Sequence, residues 1–348
     1  MPRQPLIVSL VEKKFREGGP PNFTDLAQII YSREGMEYLD PEDLIANIDQ
    51  VDSHLASRFG RVPDVIIGYE AYGRLGRAVA GSSAKFLLIT EDLHLRPLES
   101  ILEACEAADL VLARFDMLRD LTTRPLPHVK PFPLHCTARF LAEPHVAPRE
   151  EIVDFGKLFA TPPPAEGLVS TGVNQYAYRQ EWHDILTSLC DGRYSHIRVR
   201  PDVLAIAMRK FGFGFACTYF PPIIPGGGRQ EPLSPARSYF VAKFFEVPGA
   251  GLLLLADPAG VESFLEEYGF VPYENFIPME RSDPGKALRF CFDPANREEI
   301  LRIRRNGNDL IRNRHSMEAR TEVFGNHLEA LLRQPAKTRH RRPDPAAS

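Results

Sequence analysis

Several small groups of residues in this sequence carry side chains able to do chemistry. Asp92 and His94 stand two apart in Glu91-Asp92-Leu93-His94. On an extended chain such neighbours share a face, so carboxylate and imidazole point the same way. That pair suits hydroxyl binding or general-base work, since imidazole is tunable near neutral pH; a turn aspartate beside an ordinary histidine is the plain alternative. Lys243 and Glu246 lie in YFVAKFFEVPGAGLLLLAD, residues 239–257. At i,i+3 on a helix they read first as a surface ion pair. Yet Glu246 stands among Phe244, Phe245 and Val247. A carboxylate buried there without a partner is costly, so it either faces water or serves a ligand. Gly226-Gly227-Gly228-Arg229 is the nearest thing to a phosphate loop, glycines letting backbone N–H groups approach an anion; a mobile surface loop competes with that reading. His315, near Arg312, Arg314 and Arg320 on a helix, fits packing or capping better than catalysis.

The elements that must hold these residues alternate between apolar strands and helices. Leu6–Val11, Asp64–Tyr69, Lys85–Thr90 and Leu110–Ala113 read as strands, with helices from Asp40-Pro41 onward and over Ser100–Ala108. This predicts a doubly wound, mostly parallel sheet, whose ligands bind outside the carboxyl ends of its strands. Glu91–His94 sits at one such end. No GxGxxG follows the first strand, and Gly73, Gly76 and Gly81 are too loosely spaced to supply one. Residues 122–164 are punctuated by prolines, which places the interdomain crossing there, with Thr161–Glu166 the most linker-like piece.

Beyond it, Leu168–Gly172 and His196–Val199 read as strands, Gln180–Leu189 as a helix and Phe211–Phe220 as strand plus turn. Pro221–Pro235 is a long Pro/Gly loop. In residues 239–257 an amphipathic run meets a turn at Gly249 and Gly251, then an apolar strand ending at Asp257. Gly260–Tyr268 reads as a helix and Phe270-Val271 as a brief strand. Asn296–Leu332 reads as two helices broken near Asn306-Gly307-Asn308, and the chain closes in a polar, disordered tail.

Composition narrows the classes. The chain has 348 residues, 44% hydrophobic and 25% charged, enough for two domains with substantial cores. A net charge of −4 argues against a broad nucleic-acid footprint. Five scattered cysteines without a CxxC pair fit neither a disulfide framework nor a zinc site and suggest a reducing cytoplasm. No apolar run reaches membrane-spanning length and the N-terminus lacks the layout of a signal peptide, while peripheral membrane association stays open. HExxH, GxSxG and Walker motifs are missing.

KFFEVPGAGLLLLAD, followed by Arg305-Asn306-Gly307 and Arg314-His315-Ser316, resembles the C-terminal domain of group-1 glycosyltransferases, and most nearly their CgeB-like (spore-maturation) branch. Gly172–Arg179 resembles that branch's Gly…Tyr-Pro-Leu-Arg segment, with Ala177 in place of proline, and Asp92-Leu93-His94 its N-terminal DxH. The resemblance implies a GT-B fold: α/β, two Rossmann-like domains facing a cleft. The acceptor would lie on the N-terminal side (residues 1–160), the nucleotide-sugar donor on the C-terminal side (161–332), with 333–348 as the tail.

It further implies a hexosyltransferase-type enzyme that is retaining, metal-independent and without cofactor. Glu246 would bind the donor ribose, since a carboxylate accepts two hydroxyl hydrogen bonds. Arg179, Lys243 and Arg237 would hold the leaving diphosphate, Arg179 foremost because it opens a helix where phosphate can meet backbone N–H groups. Gly249 and Gly251 would shape the donor corner, and Asp92 and His94 would face the acceptor. One departure stands out: relatives often carry a glutamate eight residues before the ribose carboxylate, and here that position is Ser238. The competing expectations are a non-catalytic nucleotide-sugar or coat-associated binding protein, and a nucleotide-sugar epimerase, on the same frame.

Overall fold

A computed structural model describes residues 3–17, 21–90, 98–113, 126, 128–133, 135–145, 149–156, 158, 177–218 and 241–335. The chain forms two compact units, residues 1–133 with 321–348 and residues 134–320.

The first unit holds a sheet of β1 (Ile7–Ser9), β2 (Met36–Tyr38), β3 (Val65–Tyr69), β4 (Lys85–Thr90), β5 (Leu110–Ala113) and β6 (Val129–Pro131). Their order is β2-β1-β3-β4-β5-β6 and every pairing is parallel. The central strands are predominantly apolar because a parallel sheet has both faces covered; β5 is buried at every residue. Helices join them: α1 (Pro21–Ile30), α2 (Pro41–Ala46), α3 (Val51–Phe59), α4 (Gly73–Gly81) and α5 (Leu98–Ala107). The Asp40-Pro41 signal acts as expected, the Asp40 carboxylate accepting from Glu42 N at 3.0 Å.

The second unit repeats this arrangement. Its strands β7 (Arg149–Phe155), β8 (Tyr194–Ile197), β9 (Phe211–Ala216), β10 (Leu253–Ala256) and β11 (Ile277–Pro278) lie in the order β11-β10-β9-β7-β8, again all parallel. The helices are α6 (Ala177–Leu189), α7 (Pro201–Met208), α8 (Lys243–Gly249), α9 (Glu262–Glu267), α10 (Pro284–Phe292) and α11 (Arg297–Leu310). Trp182, Phe213, Phe215, Leu253, Leu255 and Ile277 are buried in one core cluster, the Trp182 and Phe215 rings 5.1 Å apart.

The domain boundary differs from the sequence expectation. The units part at Pro133, not near 160, because β7 pairs with β8 and β9 of the second sheet. The last helix, α12 (Met317–Arg333), returns to the first unit. Lys85 explains how it is held: its Nζ donates to the carbonyls of Leu331 and Leu332, at 2.9 and 3.0 Å, and to that of Gln334, capping the helix C-terminus with a cation.

Two further expectations are corrected. The helix α11 runs unbroken through Asn306-Gly307-Asn308, and the interruption comes at a π-turn over Ile311–His315. Phe270-Val271 is not a strand; Pro272 and Phe276 form an isolated bridge and the edge strand is β11. Thr161–Glu166, Leu168–Gly172, Pro221–Pro235 and the tail from residue 336 lie outside the described residues.

Candidate functional site

In the second sheet, β7 and β9 are neighbours although β8 intervenes in sequence. The strand order reverses between them, so the crevice at their carboxyl ends is where a doubly wound sheet takes its ligand. The chain leaves β7 through Asp154-Phe155-Gly156. Gly156 has φ +107, a conformation that side chains other than glycine's rarely adopt. A Cβ placed on it would meet Lys243 Cε at 3.4 Å, Lys243 Nζ at 3.6 Å and an Arg179 Nη at 3.7 Å. Two cations from the first turns of different helices, α6 and α8, thus flank one bare stretch of backbone.

Lys243 is not a surface residue. It is buried, its Nζ donates to Asp154 Oδ1 at 2.6 Å, and it lies 4.8 Å from the centroid of the Phe155 ring. The i,i+3 surface pair with Glu246 is therefore replaced by a buried ion pair spanning 89 positions of sequence. The other Asp154 oxygen is 3.4 Å from His196 Nδ1 on β8. Burial by itself would raise the Asp154 pKa, but Lys243 and His196 more than offset it and hold the carboxyl well below the usual range. The His183 ring packs edge-on against His196, with centroids 5.5 Å apart, and its Nδ1 is 3.0 Å from Tyr194 Oη. Burial, then the Asp154 charge, push the Tyr194 phenol upward.

Glu246 is half-buried on α8, one turn beyond Lys243. The glycines behind it serve packing. A side chain on Gly249 would strike Cys136 Sγ, and one on Gly251 would meet the Glu143 carbonyl at 2.9 Å; Gly251 also has φ +76. The carbonyls at the end of α8 also accept from α11: Asn308 Nδ2 donates to Pro248 O at 2.7 Å and to Gly249 O at 3.1 Å, and Arg304 Nε donates to Gly251 O in the turn beyond. This is why α11 tolerates Gly307 and Asn308. Gly307 lets the helix approach the Asn275 carbonyl, where a Cβ would stand at 2.6 Å.

Asp257, which ends β10, is a buried acceptor for Tyr178 Oη, for Trp182 Nε1 at 2.7 Å and for Ala259 N at 3.0 Å. Burial raises its pKa despite those bonds. His315 is structural, as its sequence context suggested. Its Nε2 donates to Tyr268 O at 2.7 Å, its Nδ1 accepts from Arg320, and its ring stacks on Phe270. Burial first, then the charges of Arg320 and Arg314, pull its pKa down to about 3, so it is neutral.

The structure therefore brings Arg179 and Lys243 together and places Glu246 on the same helix as Lys243. Asp92, His94, Arg237 and Ser238 lie outside the described residues, as do Gly226–Arg229. Asp154 and His196 went unremarked in the sequence, though REEIVDF carries a carboxylate at its next-to-last position. Among the described residues no cluster of three or more His, Cys, Asp or Glu could hold a metal ion, and no helix is long and apolar enough to cross a membrane.

No protein-family model matches the chain, and no curated protein matches its sequence. Solved structures match its fold. HepE of Anabaena, in complex with UDP, superposes with a TM-score of 0.55 at 13% identity, covering 93% of this chain and 99% of that one. A glycosyltransferase of Rickettsia africae gives 0.55 at 9% identity over 96% and 100% of the two chains. HepE with UDP-glucose gives 0.52 at 12% identity over 94% and 100%. At such identities the likeness shows the fold, an α/β chain of two Rossmann-like domains.

Proposed function

We propose that this chain is a glycosyltransferase that moves a sugar, a hexose by preference, from a nucleoside diphosphate donor to an acceptor. The observation that carries the reading is the convergence of Arg179 and Lys243 on Gly156 at the switch point of the second sheet. As the glycosidic bond to the donor breaks, negative charge grows on the β-phosphate. Cations fixed beforehand stabilise that charge more than they stabilise the ground state. Asp154 fixes Lys243, so little reorganisation is left for the moment of reaction.

Glu246 takes the ribose hydroxyls. Arg237 adds to the diphosphate site, and Asp92 and His94 face the acceptor. These cations do the work of a metal, and by resemblance to the CgeB-like branch the anomeric configuration is retained. HepE, whose fold this chain shares, was captured with UDP and with UDP-glucose, which supports a sugar nucleotide as donor. Five buried, free cysteines favour the cytoplasm. Isothermal titration with UDP, GDP and ADP, with hydrolysis assays on their sugar conjugates, tests the proposal. One of the three binds and its conjugate turns over; no binding and no turnover would refute it for these donors. Binding without turnover, with or without added acceptors, would favour the non-catalytic reading that Ser238 suggests.

A further inference from the structure

Asp154 of β7 and His196 of β8 are register partners on neighbouring parallel strands, so their side chains stand on one face of the sheet. His196 Nδ1 lies 3.4 Å from Asp154 Oδ2, too long for a full hydrogen bond. Its Nε2 is buried and, among the described residues, has no hydrogen-bond partner. A proton on Nε2 would be stranded, whereas a proton on Nδ1 faces a carboxylate. The neutral ring is therefore the Nδ1–H tautomer, with its one donor aimed at Asp154.

Asp154 gives its other oxygen to Lys243, whose Nζ stands 2.6 Å from Oδ1. Both residues are buried, so little water competes for the carboxylate. Partners on both oxygens fix that planar group. With one removed it turns about its Cβ–Cγ bond, a soft torsion, and the ammonium it holds moves with it. His196 is braced in turn. The His183 ring packs edge-on against it, centroids 5.5 Å apart, and His183 Nδ1 is 3.0 Å from the hydroxyl of Tyr194, on the same face of β8. His183 follows Arg179 by four residues on α6, one turn along the same helix face. His183, His196, Asp154 and Lys243 thus form a continuous chain from α6 through β8 and β7 to α8. The helices at its two ends are those that supply the cations at Gly156.

We propose that His196 is a positioning residue of the diphosphate site: its Nδ1–H orients Asp154, and through Asp154 it sets where Lys243 stands relative to Arg179. This rests on the reading of Arg179 and Lys243 as the diphosphate cations. Placement matters there because a shift of about 1 Å in such a group costs on the order of a hundredfold in rate.

Two amides of different reach test the role. The amide of His196→Asn falls where Nδ1 stands, and that of His196→Gln where Nε2 stands. Glutamine is nearer to histidine in size, so a packing role favours His196→Gln and the positioning role favours His196→Asn. The first readout, on the full chain without ligand, is the rate at which acetic anhydride acetylates Lys243, followed by mass spectrometry of its peptide. That rate stays low in the wild type and in His196→Asn, and rises roughly tenfold in His196→Gln as Lys243 is released from its carboxylate. The second is calorimetric affinity for UDP, GDP and ADP and for their parent nucleosides. His196→Gln loses roughly tenfold or more for the diphosphate that binds, with the nucleoside unchanged, while His196→Asn stays within about threefold of the wild type. His196→Leu, which has bulk and no donor, gives the losses of His196→Gln and stands in for it where that variant does not fold. His196→Gln matching His196→Asn in either readout, or equal losses for nucleoside and diphosphate, would overturn the proposal. A wild type that binds none of the three diphosphates would overturn the reading of the site, and the labelling would still decide whether His196 positions Lys243.

Discussion

The two units share a strand order but not the contents of its reversal point. In the first unit the reversal lies between β1 and β3, and among the described residues the buried polar groups beside it include the neutral Ser9 and Tyr31. Ser9 Oγ accepts from Val11 N at 3.1 Å, and Tyr31 Oη donates to Val11 O at 2.6 Å. In the second unit the equivalent point, between β7 and β9, holds Asp154, Lys243 and Arg179, all buried. Neutral hydrogen bonds finish a loop at modest cost. A buried ion pair is often no more stable than apolar side chains of the same volume. Among the described residues that pair is found at the second unit's reversal point and not at the first's, which supports the proposal of an anion site in the second unit.

That contrast can be broken at its strongest point first. Asp154→Ala leaves Lys243 charged and unpartnered in the interior, and should cost about 3–5 kcal/mol by denaturant unfolding. The double replacement Asp154→Leu with Lys243→Met should recover most of that stability while abolishing nucleotide binding. Recovery of both would deny the pair a ligand role.

Acid sharpens the same asymmetry. The folded pKa of His315, about 3, lies below the ordinary value of 6.5. The unfolded chain therefore binds the proton first, and the stability His315 contributes, full above pH 6.5, is lost as pH falls toward 3. The slope approaches about 1.4 kcal/mol per pH unit inside that window, and His315→Gln should flatten it. Asp154 has the same sign at lower pH, its contribution present above the ordinary carboxylate range and lost below it.

Smaller effects follow at the rim. Glu246→Ala should weaken nucleotide binding by roughly tenfold with little change in Tm, because the side chain is only half-buried; a collapse of Tm would make it structural. Ser9→Ala, at the first unit's reversal point, should cost about 1 kcal/mol of stability and leave nucleotide affinity unchanged.

The parts of this molecule legible in its sequence are those where local and tertiary preferences agree. KFLLIT and LVLA form β4 and β5 over the residues their apolarity marks, and the run from Lys243 through Gly251 to Asp257 forms helix, turn and strand as read. Among the described residues, the prolines of 122–164 misled because they end or precede strands instead of interrupting them. Pro131 is the last residue of the edge strand β6, where a missing N–H costs little, and Pro144 lies before β7. Helix α11 defied its own Asn-Gly-Asn because its side chains cap α8, a contact between residues 60 apart. The Asp154–Lys243 pair was hidden for the same reason: no local pattern announces a partner on a helix 89 positions away. The return of α12 to the first unit is fastened by Lys85, by the Arg33–Glu329 pair and by Phe132 against Phe324, all far from it in sequence.

The central claim is that Arg179 and Lys243 receive a diphosphate. It is tested most directly by titrating Arg179→Ala with the best-binding nucleoside diphosphate and with its parent nucleoside. Loss of a charge-assisted contact predicts a drop of roughly tenfold or more for the diphosphate and no change for the nucleoside. Equal losses for both, or none for the diphosphate, would contradict the assignment.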